Sequence, residues 1–262
     1  MNATRMTLVS ALLIASGSTA YAQRVVAMGD EWMLTNSAFV ANNPAATQLA
    51  TQLGAFIANG NANANFAVIS PESEINPTGQ GSTLASTMTG LGYTWSHLPT
   101  GPFNLATISA YDGIVVCNGP GFGPANAAIL TQYVNSGGSV VVIGGTGGLG
   151  GAFSEAAAWN TFLNNFGLQF NAPYIGPATQ IQLPLVPNTN PVGAGVPVTR
   201  WSFGHRVTEL NPSNPLTDIV FGAFGNPANP EIRGIIGTYA IPSPGALALL
   251  GIGTLVSTRR RR

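Results

Sequence analysis

The chain has 262 residues, of which 45% are hydrophobic and only 7% are charged. This hydrophobic content excludes a disordered low-complexity chain, and the length allows one large domain or two small ones. All nine basic residues are Arg, and five of them lie at the ends of the chain, so residues 23 to 241 carry four Arg against nine acids, a net charge of −5. This acidic middle part disfavours a nucleic-acid partner, because little basic surface is available to displace counterions.

The first 22 residues have the order of a secretory signal peptide. A weakly positive start with Arg5 precedes the apolar run Met6–Ser16 and a small-x-small motif at Ala20–Ala22. The apolar run is too short to span a bilayer. We therefore expect Sec-type export and cleavage before Gln23, an uncleaved N-terminal anchor being the alternative.

Residues 23 to 241 alternate apolar strands with helical segments, which is the pattern of an α/β sheet. The predicted helices are Pro44–Asn59, Ser82–Leu91, a helix from Pro124 to Gly137, and one from Ser154 to Gly167. The predicted strands are Phe66–Ser70, Tyr93–His97, Tyr111–Cys117 and Ser139–Gly144, followed by short β-prone pieces at Ile181–Val186, Ile219–Phe221 and Arg233–Ala240.

The segment from Tyr111 to Gly148 resembles the class I glutamine amidotransferase-like fold. It contains Tyr-Asp-Gly-Ile-Val-Val, a helix that ends in Tyr-Val-Asn-Ser-Gly-Gly, and Val-Val-Val-Ile-Gly-Gly. The resemblance implies a three-layer flavodoxin-like sandwich with a mainly parallel sheet. The Pro-, Asn- and Gly-rich residues after Leu168 are expected to add an irregular β-rich part.

The glycine-rich turn Gly144–Gly148 stands where active amidotransferases carry their nucleophile. Those enzymes place a Cys in the pattern Gly-x-Cys-x-Gly and use a distant His as the base. Here Thr146 takes the place of the Cys, and neither His97 nor His205 lies in the family's His-x-Glu pattern. We therefore expect a structural turn with no catalytic residue, no metal and no cofactor.

Other residues remain candidates for a ligand crevice at the carboxyl edge of the predicted sheet. The candidate crevice residues are Glu72, Cys117, Thr146 and His205. A lone Cys at a strand end is more often a small buried hydrophobe than a nucleophile. The acids Asp30–Glu31, and Glu72 with Glu74, allow glycoside hydrolysis or calcium binding, although acids in loops are usually solvated.

The segment Gly145–Gly150 matches the dinucleotide pattern Gly-x-Gly-x-x-Gly. The next helix is expected to start only near Ser154, and Glu155 would place negative charge beside a pyrophosphate. No acid follows near Gln169 or Asn171 to bind a ribose. A nucleotide site is therefore not expected.

The C-terminal segment contains three parts in a fixed order, namely Pro242, Ser243 and Pro244, the apolar run Gly245–Val256, and the cluster Arg259, Arg260, Arg261 and Arg262. A helix over this apolar run and the next two residues spans about 21 Å, less than the ~30 Å core of a bilayer. The order resembles the PEP-CTERM sorting signal, which exosortase-type enzymes process in Gram-negative envelopes. Ser243 stands where that family has Glu, and a plain tail anchor is the alternative.

These patterns divide the chain into a signal peptide (1–22), an α/β domain (23–241) and a sorting segment (242–262) with a short transmembrane helix. We expect a non-catalytic protein of the cell surface or extracellular matrix of a Gram-negative bacterium. Its expected partners are the Sec machinery, an exosortase-like enzyme, the membrane during sorting, and extracellular polysaccharide. A carbohydrate- or peptide-binding module, with Trp32, Trp95 and Trp201 as candidate sugar contacts, and a hydrolase that uses Cys117 or loop carboxylates are the alternatives.

Overall fold

The computed structural model of the protein describes residues 22–70, 74–98, 104–117 and 122–241. Residues 1–21 of the predicted signal peptide, the candidate Glu72 and the whole predicted sorting segment lie outside these residues. Within the described part of the chain, no helix combines the length and the hydrophobicity needed to cross a membrane.

The described residues form a mixed α/β fold. The strands are β1 (Gln23–Met28), β2 (Asn65–Ile69), β3 (Thr94–His97), β4 (Gly113–Cys117), β5 (Ser139–Ile143), β6 (Leu168–Ile175), β7 (Ile181–Pro184), β8 (Val198–Trp201), β9 (Gly204–Glu209), β10 (Thr217–Phe224) and β11 (Glu231–Ile241). The α-helices are α1 (Asn36–Asn42), α2 (Ala45–Ala58), α3 (Ser82–Gly90), α4 (Leu105–Ile108), α5 (Pro124–Asn135) and α6 (Ala152–Leu163). Short 3-10 helices follow β1 and α6, at Glu31–Leu34 and Asn164–Phe166.

Seven of the strands form one sheet in the order β10-β11-β1-β5-β4-β2-β3. The pairings from β1 through β5, β4 and β2 to β3 are parallel. Strand β11 pairs antiparallel with β1, and β10 pairs antiparallel with β11. Strands β6 and β9, and strands β7 and β8, form two further antiparallel pairs. The predicted α/β class with a mainly parallel sheet is therefore confirmed.

Helices cover both faces of this sheet. Leu49 and Leu53 of α2 pack in one buried cluster with Val141 of β5. Trp159 of α6 packs in a second buried cluster with Val142 of the same strand. Successive strand residues point to opposite faces, so a strand that is covered on both faces must be apolar throughout.

The element ends differ from the predictions in informative places. Helix α6 begins at Ala152, directly after Gly151, whose φ is 90°. Ser154, the predicted cap, therefore lies inside the first turn of the helix. Strand β1 was not predicted, although it pairs with both β5 and β11 near the middle of the sheet. It is a short apolar run directly after the predicted signal peptide, so hydrophobicity alone did not separate it from that peptide.

Three segments of the chain approach one another closely where β1 and β5 end and β9 begins. The amide of His205 donates to the carbonyl oxygen of Gly29 at 2.8 Å. Gly145 has a φ of 84°, and a Cβ atom added to it would lie 2.8 Å from the same carbonyl oxygen and 3.1 Å from the Cα atom of Gly204. Glycine is needed at position 145 for its backbone conformation and for the space that a side chain would occupy.

We predict that Gly145→Ala lowers the free energy of unfolding by about 3 kcal/mol, whereas Gly147→Ala lowers it by about 1 kcal/mol. Both residues have positive φ, 84° and 72°, but a Cβ atom on Gly147 would meet no atom within 4 Å. Denaturant unfolding of the two variants and the wild type measures the difference. Equal losses would show that the close approach of these segments does not restrict position 145.

Candidate functional site

The carboxylate of Glu155, in the first turn of α6, collects hydrogen-bond donors at the carboxyl edge of the sheet. The side chain is fully buried. Its Oε2 atom accepts from the Tyr174 hydroxyl at 2.5 Å and from the Gly145 amide at 3.1 Å, and it lies 3.0 Å from Nε2 of His205. Its Oε1 atom accepts from the hydroxyl and the amide of Thr146 at 2.8 and 3.4 Å. We call Thr146, Glu155, Tyr174 and His205 the Glu155 centre.

Strand pairing brings two members of this centre together. Tyr174 lies near the end of β6 and His205 near the start of β9, where Ile175 pairs with Gly204. The Tyr174 and His205 rings meet edge to face with their centroids 4.7 Å apart. Phe170, also on β6, stacks on the other side of the imidazole at 5.0 Å. The centre thus joins α6 and the β5–α6 loop to the β6–β9 pair.

Both ring nitrogens of His205 face oxygen acceptors. Nδ1 lies 3.1 Å from the carbonyl oxygen of Asn171, and Nε2 faces the Glu155 carboxylate. Burial raises the pKa of Glu155, but hydrogen bonds from His205, Tyr174 and Thr146 outweigh it and hold this pKa below its ordinary value. An ionised carboxylate only accepts hydrogen bonds, so Nε2 of His205 donates to Glu155.

The order of contacts in the Glu155 centre differs from that of a hydrolytic triad. In a triad the His lies between the nucleophile and the carboxylate. Here Glu155 lies between Thr146 and His205, and a carboxylate with five donors and a lowered pKa is a weak base. The Thr146 hydroxyl also accepts from the amide of Gly148 at 3.2 Å. These contacts stabilise the β5–α6 loop and provide no general base for Thr146.

The structure separates the predicted crevice residues. Thr146 and His205 both contact Glu155, which was not predicted as a site residue. Cys117 is fully buried and packs in the cluster beneath α2, whereas Phe170, which stacks on His205, belongs to the cluster on the opposite face of the sheet. Cys117 is therefore not directed into the Glu155 centre.

In the glycine-rich loop that matches a dinucleotide motif, the first amides donate hydrogen bonds to side chains of the protein itself. The amides of Gly145 and Thr146 donate to Glu155, and the amide of Gly147 donates to the Tyr174 hydroxyl at 3.1 Å. A phosphate at this loop would have to displace these internal acceptors. The amides of this motif therefore bind the Glu155 carboxylate of the same chain.

Two further buried acids follow β1. Asp30 accepts from the amides of Ser202 and Trp32 at 2.5 and 3.0 Å. The Oε2 atom of Glu31 is buried without a hydrogen-bond partner among the described residues. Burial raises the pKa of Asp30 to about 7, and burial together with the nearby charge of Asp30 raises that of Glu31 to about 9. Within the described part of the chain, no group of three or more His, Cys, Asp or Glu side chains is arranged to hold a metal ion.

Of the three Trp residues predicted as sugar contacts, Trp32 and Trp95 are partly exposed. Trp201 is fully buried in the core. Phe153 is 73% exposed and Phe203 is 47% exposed, and they precede Glu155 and His205 by two residues each. These exposed rings lie close in sequence to two members of the centre, a signal that hydrophobic periodicity alone does not reveal.

No protein-family model matches the chain, and no curated protein matches it in sequence. Among solved structures, the chain is weakly similar to a protein described as a peptidase E from Listeria monocytogenes EGD-e, with 12% identity and a TM-score of 0.30 over 46% of this chain. It spans 57% of the length of that protein. A β-galactosidase from Bifidobacterium adolescentis is 11% identical, with a TM-score of 0.28 over 72% of this chain and 96% of the other.

We predict that Glu155→Gln lowers the free energy of unfolding by about 3 kcal/mol, because the buried donors that face this carboxylate would lose an ionised acceptor. The new amide group would also face donors that need an acceptor. Asp218→Asn, at an exposed acid on β10, serves as the control and should change stability by less than about 0.5 kcal/mol. Equal effects of the two substitutions in denaturant unfolding would contradict the structural role of Glu155.

The raised pKa of Glu31 predicts a loss of stability in alkaline solution. Glu31 keeps its proton up to about pH 9 in the folded state, but an unperturbed Glu loses it near pH 4.5. The folded state therefore binds more protons in this window, and the free energy of unfolding falls as the pH rises. Between about pH 7.5 and 9, above the Asp30 value of about 7, this group contributes a slope of up to ~1.4 kcal/mol per pH unit.

Glu31→Gln should remove this slope, and Asp218→Asn should keep it. Unfolding curves of the wild type and both variants at several pH values in this window measure the effect. A Glu31→Gln variant with the same pH dependence as the wild type would show that Glu31 is already ionised at neutral pH.

Proposed function

We propose that the protein is an exported, non-catalytic protein of the cell surface or extracellular matrix, delivered through its C-terminal segment. The observation that carries this proposal is the place where the two ends of the α/β body meet. Gln23, the first residue of β1, pairs with Ile241, the last residue of β11. The predicted signal peptide ends directly before Gln23 and the predicted sorting segment begins directly after Ile241, so both would leave the body at one point.

The Glu155 centre lies at the other edge of the same sheet. It follows the carboxyl ends of β1 and β5, whereas Gln23 and Ile241 lie at the amino end of β1. The six residues of β1 separate the two edges by about 20 Å. Until the C-terminal segment is removed, a body held at the membrane by that segment would therefore turn the Glu155 centre, Phe153 and Phe203 outward.

The order of the parallel strands supports an amidotransferase-like, flavodoxin-like body. Strands β2 to β5 lie in the order β3-β2-β4-β5, which corresponds to the first four strands of the flavodoxin order 2-1-3-4-5. Strand β1 takes the fifth place, although it comes first in the chain. The antiparallel β10 and β11 then extend the sheet beyond this arrangement.

The contacts at the carboxyl edge support a non-catalytic role for this body. A hydrolase of this fold needs a nucleophile beside a base that is able to accept its proton. Thr146 instead donates to an ionised carboxylate that has further donors, and Cys117 is buried toward the opposite face from His205. These contacts argue against Thr146 as a nucleophile and against a Cys117–His205 pair, and a hydrolase that uses loop carboxylates stays the alternative.

We predict that a Gram-negative host with an exosortase-type enzyme exports the full chain and removes both ends. Intact-mass analysis of envelope and medium fractions should find protein that lacks Met1 and Arg262. A chain that ends at Ile241 should fold with unchanged stability but escape into the medium or periplasm, because it lacks the sorting segment. Ser243→Glu, which restores the family's Pro-Glu-Pro motif, is the matched variant and should sort at least as well as the wild type.

Recovery of the full-length chain from the cytoplasm would contradict export. An envelope fraction that retains Arg262 would instead indicate a plain tail anchor. Equal envelope retention of the chain that ends at Ile241 would show that the C-terminal segment does not direct sorting.

A further inference from the structure

A cavity of about 630 Å³ opens between the end of β6, the start of β7 and the β10–β11 hairpin. Its apolar wall includes Ile175, Ile181 and Phe224. The volume lies in the range of small-molecule sites, which are mostly apolar with a few polar groups that orient the ligand. The cavity is separate from the Glu155 centre. The two are adjacent in sequence, because Tyr174 of the centre directly precedes Ile175 of the cavity lining.

Two oppositely charged side chains line this cavity. Glu231 and Arg233 lie two residues apart on β11, so their side chains project from the same face of the strand. They form an ion pair whose side chains are 63% and 28% exposed. The other described residues that line the cavity are uncharged. An exposed pair of this kind contributes only about 0 to 1 kcal/mol, so a ligand opens it at little cost.

The apolar wall and the two opposite charges together indicate which kind of ligand fits the cavity. A simple anion would meet Arg233 but would be repelled by Glu231 and by the net charge of −5 on residues 23 to 241. A simple cation would meet Glu231 but would be repelled by Arg233. A zwitterion offers a carboxylate to Arg233 and an ammonium group to Glu231, and an apolar side chain on it would be buried against Phe224 and its neighbours.

We propose that this cavity binds a small zwitterion with a large apolar side chain, for which an α-amino acid such as phenylalanine is the simplest form. The carboxylate lies at Arg233, the ammonium group at Glu231, and the side chain against Ile175, Ile181 and Phe224. This site does not depend on the proposed export of the protein.

Isothermal titration calorimetry of the full chain tests the ligand chemistry with four probes. L-phenylalanine carries both charges and the ring, 3-phenylpropionate lacks the ammonium group, phenethylamine lacks the carboxylate, and glycine lacks the side chain. L-phenylalanine should bind at least about tenfold more tightly than 3-phenylpropionate and phenethylamine, since a hydrogen bond to a charged group contributes roughly 1.5 kcal/mol or more. It should exceed glycine by at least a similar factor, because glycine buries no ring against the apolar wall. Absence of L-phenylalanine binding, or equal binding of all four probes, would overturn the proposal.

Substitutions of Arg233 and Glu231 test the two charged contacts. Arg233→Gln should reduce L-phenylalanine affinity about tenfold and leave phenethylamine binding no weaker, because phenethylamine has no carboxylate. Glu231→Gln should reduce L-phenylalanine affinity similarly without weakening 3-phenylpropionate binding. Arg200→Gln is the matched control, because Arg200 contacts Gln180 outside the cavity lining, and it should leave L-phenylalanine affinity unchanged.

Thermal melts establish that each variant is folded. If Arg233→Gln or Glu231→Gln does not fold, the four-probe series on the wild type still tests the ligand chemistry. Equal loss of affinity in Arg200→Gln and Arg233→Gln would overturn the assignment of the carboxylate contact. L-phenylalanine binding that occurs only after residues 242 to 262 are removed would identify the chain's own tail as the occupant and would likewise overturn the proposal.

Discussion

The buried carboxylate of Glu155 determines how the carboxyl edge of the sheet is built. An ionised carboxylate that is removed from water is stable only when donors surround it. Those donors come from the β5–α6 loop, from Tyr174 on β6 and from His205 on β9. The β6–β9 pair must therefore pack over the end of the sheet, and the Gly145 turn must bring its amide within reach of the same carboxylate.

The neighbouring acids show that environment decides the charge of each group. Hydrogen bonds from His205, Tyr174 and Thr146 hold the pKa of Glu155 below its ordinary value despite burial. The Oε2 atom of Glu31 has no such donor among the described residues, and desolvation together with the charges of Asp30, Glu74 and Glu155 raises its pKa. One buried region thus holds an ionised and a protonated carboxyl group, because each additional negative charge there makes the next one more costly.

Sequence reasoning identified elements whose signals are local. The run Ser139–Gly144 predicted β5 almost to the residue, and the proline and glycine signals around Pro124–Asn135 predicted α5. The Glu155–His205 contact joins residues 50 positions apart through strand pairings that no local pattern encodes. One signal was available, because Glu155 falls on the same helical face as Trp159 and Phe162, and a charged residue on an apolar face needs a buried partner.

Glu155 is a permanently ionised acceptor that organises this edge of the molecule, and a carbon-detected NMR titration of the Glu carboxyl groups tests this role most directly. Glu155 should stay ionised to a pH below the ordinary Glu value of about 4.5, while Glu31 should titrate near pH 9. A Glu155 carboxyl group that takes up its proton near or above neutral pH in the folded protein would contradict this account, since it would then be a proton-transfer group rather than a fixed anion surrounded by donors.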